Sequence, residues 1–252
     1  MDRRDFLRTI GYSSLILVTE GSLWKFASGN ILPKQEIIKR RAMDSVVEHI
    51  LKYNVNIFGE KIDYESTGLG FVNKDKYITL AHITHAAIPM IRMPPMGSNL
   101  IFVENERVTI DDVVLPPIIE NQLTDVAVYQ IPLKLQGRRN EGFEISNEYF
   151  VGDEVFWIGN KKNEGGSYSE GKIKKLNVDR PPNINYKRHP ELKDREYPQF
   201  KGSVGLSKLV FHGDSGGPVF KMRTGELIGV IQWVDDTGYF KKIEHFEPYL
   251  DV

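Results

Sequence analysis

The chain has 252 residues, 40% of them hydrophobic and 27% charged, with 33 Lys and Arg set against 34 Asp and Glu for a formal charge of −1. That is length enough to bury a sizeable core, and the balanced charge makes no electrostatic case for nucleic acid or an anionic membrane surface as a partner. Cysteine is absent, which removes disulfides, a thiolate nucleophile and cysteine-held zinc.

The chain begins MDRRDFLRTIGYSSLILV: Arg3 and Arg4 stand ahead of Phe6, Leu7 and Arg8, and a mildly apolar run Ile10–Val18 follows. The pattern is similar to a twin-arginine export signal, so residues 1–34 read as a signal or anchor segment. The apolar run falls short of the ~20 residues a membrane-spanning helix needs. Thr19-Glu20-Gly21 is only a passable cleavage site. The expected location is the periplasm or outside the cell. A membrane-anchored form, held by an uncleaved N-terminal segment, and a cytoplasmic form are the alternatives.

Between Gln35 and about Tyr53 the apolar residues Ile37, Ile38, Met43, Val46, Val47, Ile50 and Leu51 recur at steps of three and four, which predicts a helix. The pattern then changes to short β-rich runs: Val55–Phe58, Gly68–Val72, Tyr77–Leu80, Asn99–Val103, Arg107–Ile110 and Val126–Ile131. A second set comprises Glu154–Ile158, Gly171–Leu176, Val204–Phe211, Pro218–Phe220, Leu227–Trp233 and Tyr239–Ile243. A dozen short strands with turn residues between them predict an all-β fold of barrels or a sandwich, not alternating β and α units. A divide near Pro132–Tyr149 splits the strands into halves, and Glu244–Leu250 is the one late helix candidate. Ala87–Ser98 and Val178–Lys201, rich in proline, read as surface loops. Met90, Met93 and Met96, with His85 near, belong to the first loop and are read as packing, so no metal or cofactor is expected.

The chemistry concentrates in FHGDSGGPVF at 211–220, where glycines surround Ser215. A hydroxyl is a weak nucleophile and needs a base. Of six histidines, His82 follows the strand-like YITLA, which sets its ring at a strand end. Asp125, in LTDVAVYQI, opens an apolar strand and is the best carboxylate to orient that imidazole. GDSGG also satisfies G-x-S-x-G, yet His245 lies only 30 residues beyond Ser215 and β-α alternation is lacking, which excludes an α/β-hydrolase.

YITLAHIT, DVAVYQI and GDSGGPV resemble the histidine, aspartate and serine motifs of chymotrypsin-fold serine proteases, in that family's order and with similar spacing. GDEVFWIGNKKNEGGSYSEGKIKKLN resembles the HtrA-like (DegP-like) branch, LIGVIQW the strand lining the substrate groove, and GYFKKIEHF the closing strand of the second barrel. The resemblance runs from about Val46 to the C-terminus. It implies a protease domain over 35–252 built of two six-stranded antiparallel β-barrels, at about 46–135 and 150–245, with an N-terminal helix and a short C-terminal helix. It implies a serine endopeptidase acting on polypeptide substrates, with a catalytically silent peptide binder on the same fold as the alternative. His82 would be the general base, Asp125 its orienting carboxylate and Ser215 the nucleophile, and the N–H groups of Gly213 and Ser215 would form the oxyanion hole. Leu209 would floor the primary pocket beside Val210 and Val234, with His212 at the rim and Gln232 and Trp233 on the groove strand. There are departures from the pattern. Gln232 and Val234 replace smaller residues, no Ile-Val-Gly-Gly activation start supplies a partner for Asp214, and no PDZ domain is expected after Val252.

Overall fold

The computed structural model describes residues 34–57, 60–85, 101–159, 167–179, 197–208, 210–211, 213–233 and 238–251. The signal-like segment, the Met-rich loop and most of the proline-rich loop at 178–201 lie outside these residues.

Helix α1 (Lys34–Ser45) ends eight residues before the sequence pattern suggests, and Val46 starts a strand. The same apolar residues fit two periods. Once His49 counts as buried, Val47, His49, Leu51 and Val55 alternate inward along β1 (Val46–Ile57). Pairing decides between the periods: β1 is hydrogen-bonded to β2 (Glu60–Asn73) on one side and β4 (Ile101–Ile110) on the other, which a helix cannot match. β4 joins the two strands expected at 99–103 and 107–110 through Asn105, whose positive φ of 57° takes up an irregularity opposite Lys52–Asn54. With β3 (Lys76–Thr79), β5 (Val113–Val114), β6 (Pro117–Asn121) and β7 (Val126–Gln130) they make a seven-stranded sheet in the order β5-β4-β1-β2-β3-β7-β6. This first lobe is an incompletely closed barrel, with one strand more than the six expected.

The second lobe is a closed six-stranded barrel in the order β10-β13-β12-β11-β8-β9. Its strands are β8 (Glu154–Gly159), β9 (Ser167–Val178), β10 (Ser203–Leu206), β11 (Pro218–Lys221), β12 (Leu227–Trp233) and β13 (Tyr239–Lys242). The expected C-terminal helix is two short 3₁₀ turns, Ile243–His245 and Glu247–Tyr249, with Pro248 inside the second, where it has no N–H to donate to a longer helix.

Each lobe has its own apolar core, and a third cluster joins them. It brings Phe71, Ile78, Leu80, Val126 and Val128 of the first lobe against Phe156, Ile158, Phe220, Leu227 and Val230 of the second. At its centre Phe220 stacks on Phe156 at 5.0 Å and meets Phe143 of the connecting segment edge-on at 4.8 Å. Helix α1 lies across the same region. Arg41 covers the Phe143 ring at 4.9 Å, and Lys39 sits over Tyr168 at 4.1 Å while pairing with Glu170. The basic run at 39–41, readable as a solvated helix face, therefore docks the helix through two of its members.

Candidate active site

β3 is buried at every position and delivers the chain to Leu80, after which a 3₁₀ turn (Ala81–Ile83) swings His82 outward. Thr84 closes that turn, its N–H and its hydroxyl both donating to the Ala81 carbonyl. His82 therefore stands at the end of a rigid strand with its side chain 41% exposed.

Asp125 approaches from the turn before β7. Asn121 shapes that turn by accepting the N–H groups of Leu123 and Thr124 on its side-chain oxygen. Asp125 itself has φ of 59°, a left-handed conformation that short polar side chains tolerate. Its carboxylate is buried and triply engaged. It accepts the backbone N–H of His82 at 2.9 Å, His82 Nδ1–H at 2.9 Å from each oxygen, and Gln232 Nε2–H at 3.1 Å. An acceptor at Nδ1 fixes the proton there and leaves Nε2 as the basic nitrogen facing solvent.

The serine loop belongs to the second lobe and is shaped by its backbone. Gly213 and Gly216 have φ of 102° and 94°, conformations costly for residues with a Cβ. Asp214 N–H donates to Phe211 O and Gly217 N–H to Asp214 O, while Gly216 N–H and the Gly217 carbonyl pair with Ile231 of β12. Asp214 is fully buried and accepts the Phe211 N–H at 2.9 Å. A Cβ at Gly159 would lie 1.9 Å from its Oδ1, so the glycine ending β8 makes the seat for this carboxylate. Asp214 thus has one hydrogen-bond partner inside its own loop.

Gly216 also reaches across the seam between the lobes. A Cβ there would lie 1.8 Å from Leu69 O and 2.9 Å from Thr79 Oγ1, on the strands that lead to His82. The serine loop is thus packed against the support of the His82–Asp125 pair. Among the described residues no hydrogen bond joins Ser215 Oγ to His82, and neither Gly213 N–H nor Ser215 N–H donates to another backbone carbonyl.

Two of the expected groove residues point elsewhere. Gln232 is 1% exposed and turns inward to Asp125, accepting the Ser203 hydroxyl on Oε1 at 2.6 Å, so it is a support and not a groove wall. Val210 is likewise 1% exposed and sits in the second-lobe core with Trp157, Ile173 and Leu206, which explains an apolar residue there without a ligand. Trp233 ends β12 opposite Tyr239. Leu209, His212 and Val234 lie outside the described residues. Sequence reading missed Lys241, a buried lysine of β13 that donates to the Gln199 carbonyl at 2.9 Å beside Gln232. Its one available signal was a charge within an apolar strand, between Phe240 and Ile243. Among the described residues there is no group of three or more His, Asp or Glu side chains arranged to hold a metal ion.

A family profile described as the trypsin-like peptidase domain matches residues 68–230, well over half of the chain. No curated protein matches significantly. Among solved structures, the active form of the Rv3671c protease from M. tuberculosis is 17% identical, with 92% of this chain and 93% of that one covered at a TM-score of 0.53. Deg5 is 20% identical over 88% and 98% of the two chains, with a TM-score of 0.55. The HtrA-type protease AlgW, in a variant crystallised with a decapeptide, is 15% identical over 87% of this chain and 65% of that one, at 0.58. At such identities the likeness is one of fold.

Proposed function

The chain belongs to the trypsin-like peptidase family, and on that premise we propose that it is a serine endopeptidase acting on polypeptides through Ser215, His82 and Asp125. The observation that carries this reading is the hydrogen bonding of His82 Nδ1–H to a buried, ionisable Asp125, on a support against which the serine loop packs. Ser215 Oγ attacks the scissile carbonyl carbon while His82 Nε2 takes the hydroxyl proton. The electron pair moves onto the carbonyl oxygen, which the N–H groups of Gly213 and Ser215 receive. Collapse of the tetrahedral intermediate breaks the C–N bond as His82 returns its proton to the leaving amine. Water then repeats the sequence on the acyl-enzyme, with His82 again as base. Asp125 stays ionised throughout, holding the ring and stabilising its cation. The absence of a Ser215–His82 hydrogen bond among the described residues is compatible with this chemistry, because catalytic contacts tighten around substrate.

The test is a fluorophosphonate probe together with digestion of an unfolded protein, on the native chain and on Ser215→Ala. Labelling and digestion are expected from the native chain alone. Retained peptide binding without either would make the chain a silent binder.

Residues 1–34 serve as a twin-arginine export segment, so Arg3→Lys with Arg4→Lys should leave the protein in the cytoplasm on fractionation. Among the described residues no helix is long and apolar enough to cross a membrane. The family resemblance assigns Leu209 and Val234 to the primary pocket, and two uncharged aliphatic side chains in those roles would favour Ala, Val or Leu before the cut bond. A peptide-library digest cleaved mainly after Lys, Arg or Tyr would refute that preference.

A further inference from the structure

Lys241 is 1% exposed, in the wall of the second barrel, and among the described residues it makes no ion pair within contact distance of a carboxylate. A buried ammonium is costly unless a countercharge is near. The charge that steadies it is Asp125. A continuous chain of hydrogen bonds lies between them. Lys241 Nζ donates to the Gln199 carbonyl at 2.9 Å, Gln232 Nε2 donates to that same carbonyl, and Gln232 Nε2 donates to Asp125 Oδ2 at 3.1 Å. Ser203 Oγ–H donates to Gln232 Oε1 at 2.6 Å, which fixes the amide the right way round. Three neighbouring strands, β10, β13 and β12, contribute Ser203, Lys241 and Gln232, so the arrangement is held by the barrel itself.

We propose that Lys241, reaching Asp125 through Gln232 and the Gln199 carbonyl, is a positioning residue whose ammonium sets the acid limit of hydrolysis. The inference rests on the proposed serine-protease reading. A fixed positive charge behind Asp125 opposes a second positive charge on the neighbouring His82 ring, so removing it should let that ring take up its proton at higher pH. The ammonium is present where it is needed. Burial lowers Lys241 to about 8, with the charge of Asp125 working against that fall, so the side chain is cationic throughout the acid range. Among the described residues the other titratable group facing it is His245, on the 3₁₀ turn after β13, with Lys242 and Glu244 acting on His245 in turn. Gln199, Gln232 and Ser203 are uncharged.

The experiment is the pH profile of kcat/KM on a peptide substrate for the native chain and for Lys241→Met, Lys241→Gln and Lys241→Arg. Lys242→Met and His245→Gln serve as controls. Active-site titration with the fluorophosphonate counts folded sites, so a partly folded variant is still read. The Met and Gln variants should move the acid limb up by about half a pH unit to one unit, with KM unchanged, and the Arg variant should restore it. Both controls should leave the limb in place. A limb unmoved in Lys241→Met, with only a lower melting temperature, would make Lys241 a structural residue. A limb moved equally by His245→Gln would assign the effect to His245. The titration of the His82 ring followed by NMR should move in the same direction, and it reads the inference without any turnover. A native chain that neither hydrolyses peptide nor takes the probe therefore counts against the protease reading alone.

Discussion

The two lobes hold their halves of the site by different means. The first lobe uses side chains: Asp125 accepts four contacts from two residues, and His82 is oriented by that carboxylate. The second lobe uses backbone: Gly213 and Gly216 take conformations closed to most residues, and the loop is tied to β12 by main-chain bonds that do not titrate. The first half is therefore vulnerable to changes of proton and polar group, and the second to the addition of a single carbon atom.

Three experiments sharpen that contrast. The largest effect is expected from His82→Ala, which should cost hydrolysis at least about 10⁴-fold while leaving the melting temperature near native. Combining it with Ser215→Ala should add little, because the two act as one unit. The measurement is kcat beside a thermal melt. Next is Gly216→Ala, which should damage both readouts. Its Cβ would meet Leu69 O, and its positive φ adds strain, for a loss of roughly 3 kcal/mol or more in urea unfolding and a matching loss of probe labelling. A stable, active Gly216→Ala would end the claim that the serine loop is positioned by backbone packing across the seam.

The smallest effect concerns the first lobe in acid. His49 is fully buried on β1, with Tyr77 OH at 2.7 Å from Nδ1 and Ile83 O at 3.2 Å from Nε2. Burial lowers its pKa to about 4, and its hydrogen bond to Ile83 works weakly the other way. The unfolded chain takes up this proton near pH 6.5 and the folded chain does not, so the contribution is whole above about 6.5 and is lost as pH falls towards 4. That loss is on the order of 3 kcal/mol. His49→Gln should show a flatter dependence of urea midpoint on pH over that window. An unchanged slope would remove His49 as a source of acid sensitivity.

The contrast also bears on what could be read from the sequence. The surroundings of His82, Asp125 and Ser215 were legible because each sits in a short local pattern, a strand end or a glycine turn. The second barrel was legible for the same reason, since its strands are short and bounded by turns. Residues 46–53 were not, because an apolar spacing that suits a helix also suits a strand once a buried histidine is counted, and the choice falls to β2 and β4. The support behind Asp125 was illegible for a stronger reason. Gln199, Ser203, Gln232 and Lys241 lie 74 to 116 residues along the chain from Asp125, and no local pattern pairs them. Gln232 stands out in the sequence as an unusual residue for a groove strand, and the barrel turns it inward to Asp125.

The left-handed backbone at Asp125 narrows the alphabet available to that position. Glycine, asparagine and aspartate are the residues that enter this conformation readily, and aspartate alone among them carries a charge. Two filters acting at one site, a dihedral angle and a required anion, therefore leave a single letter. Glutamate has the right charge and the wrong backbone preference, while asparagine has the right backbone and the wrong charge. A scoring scheme that ranks Asp to Glu among the mildest of exchanges would misjudge this position, where one added methylene registers first as a fault in the turn and only afterwards as a change in chemistry.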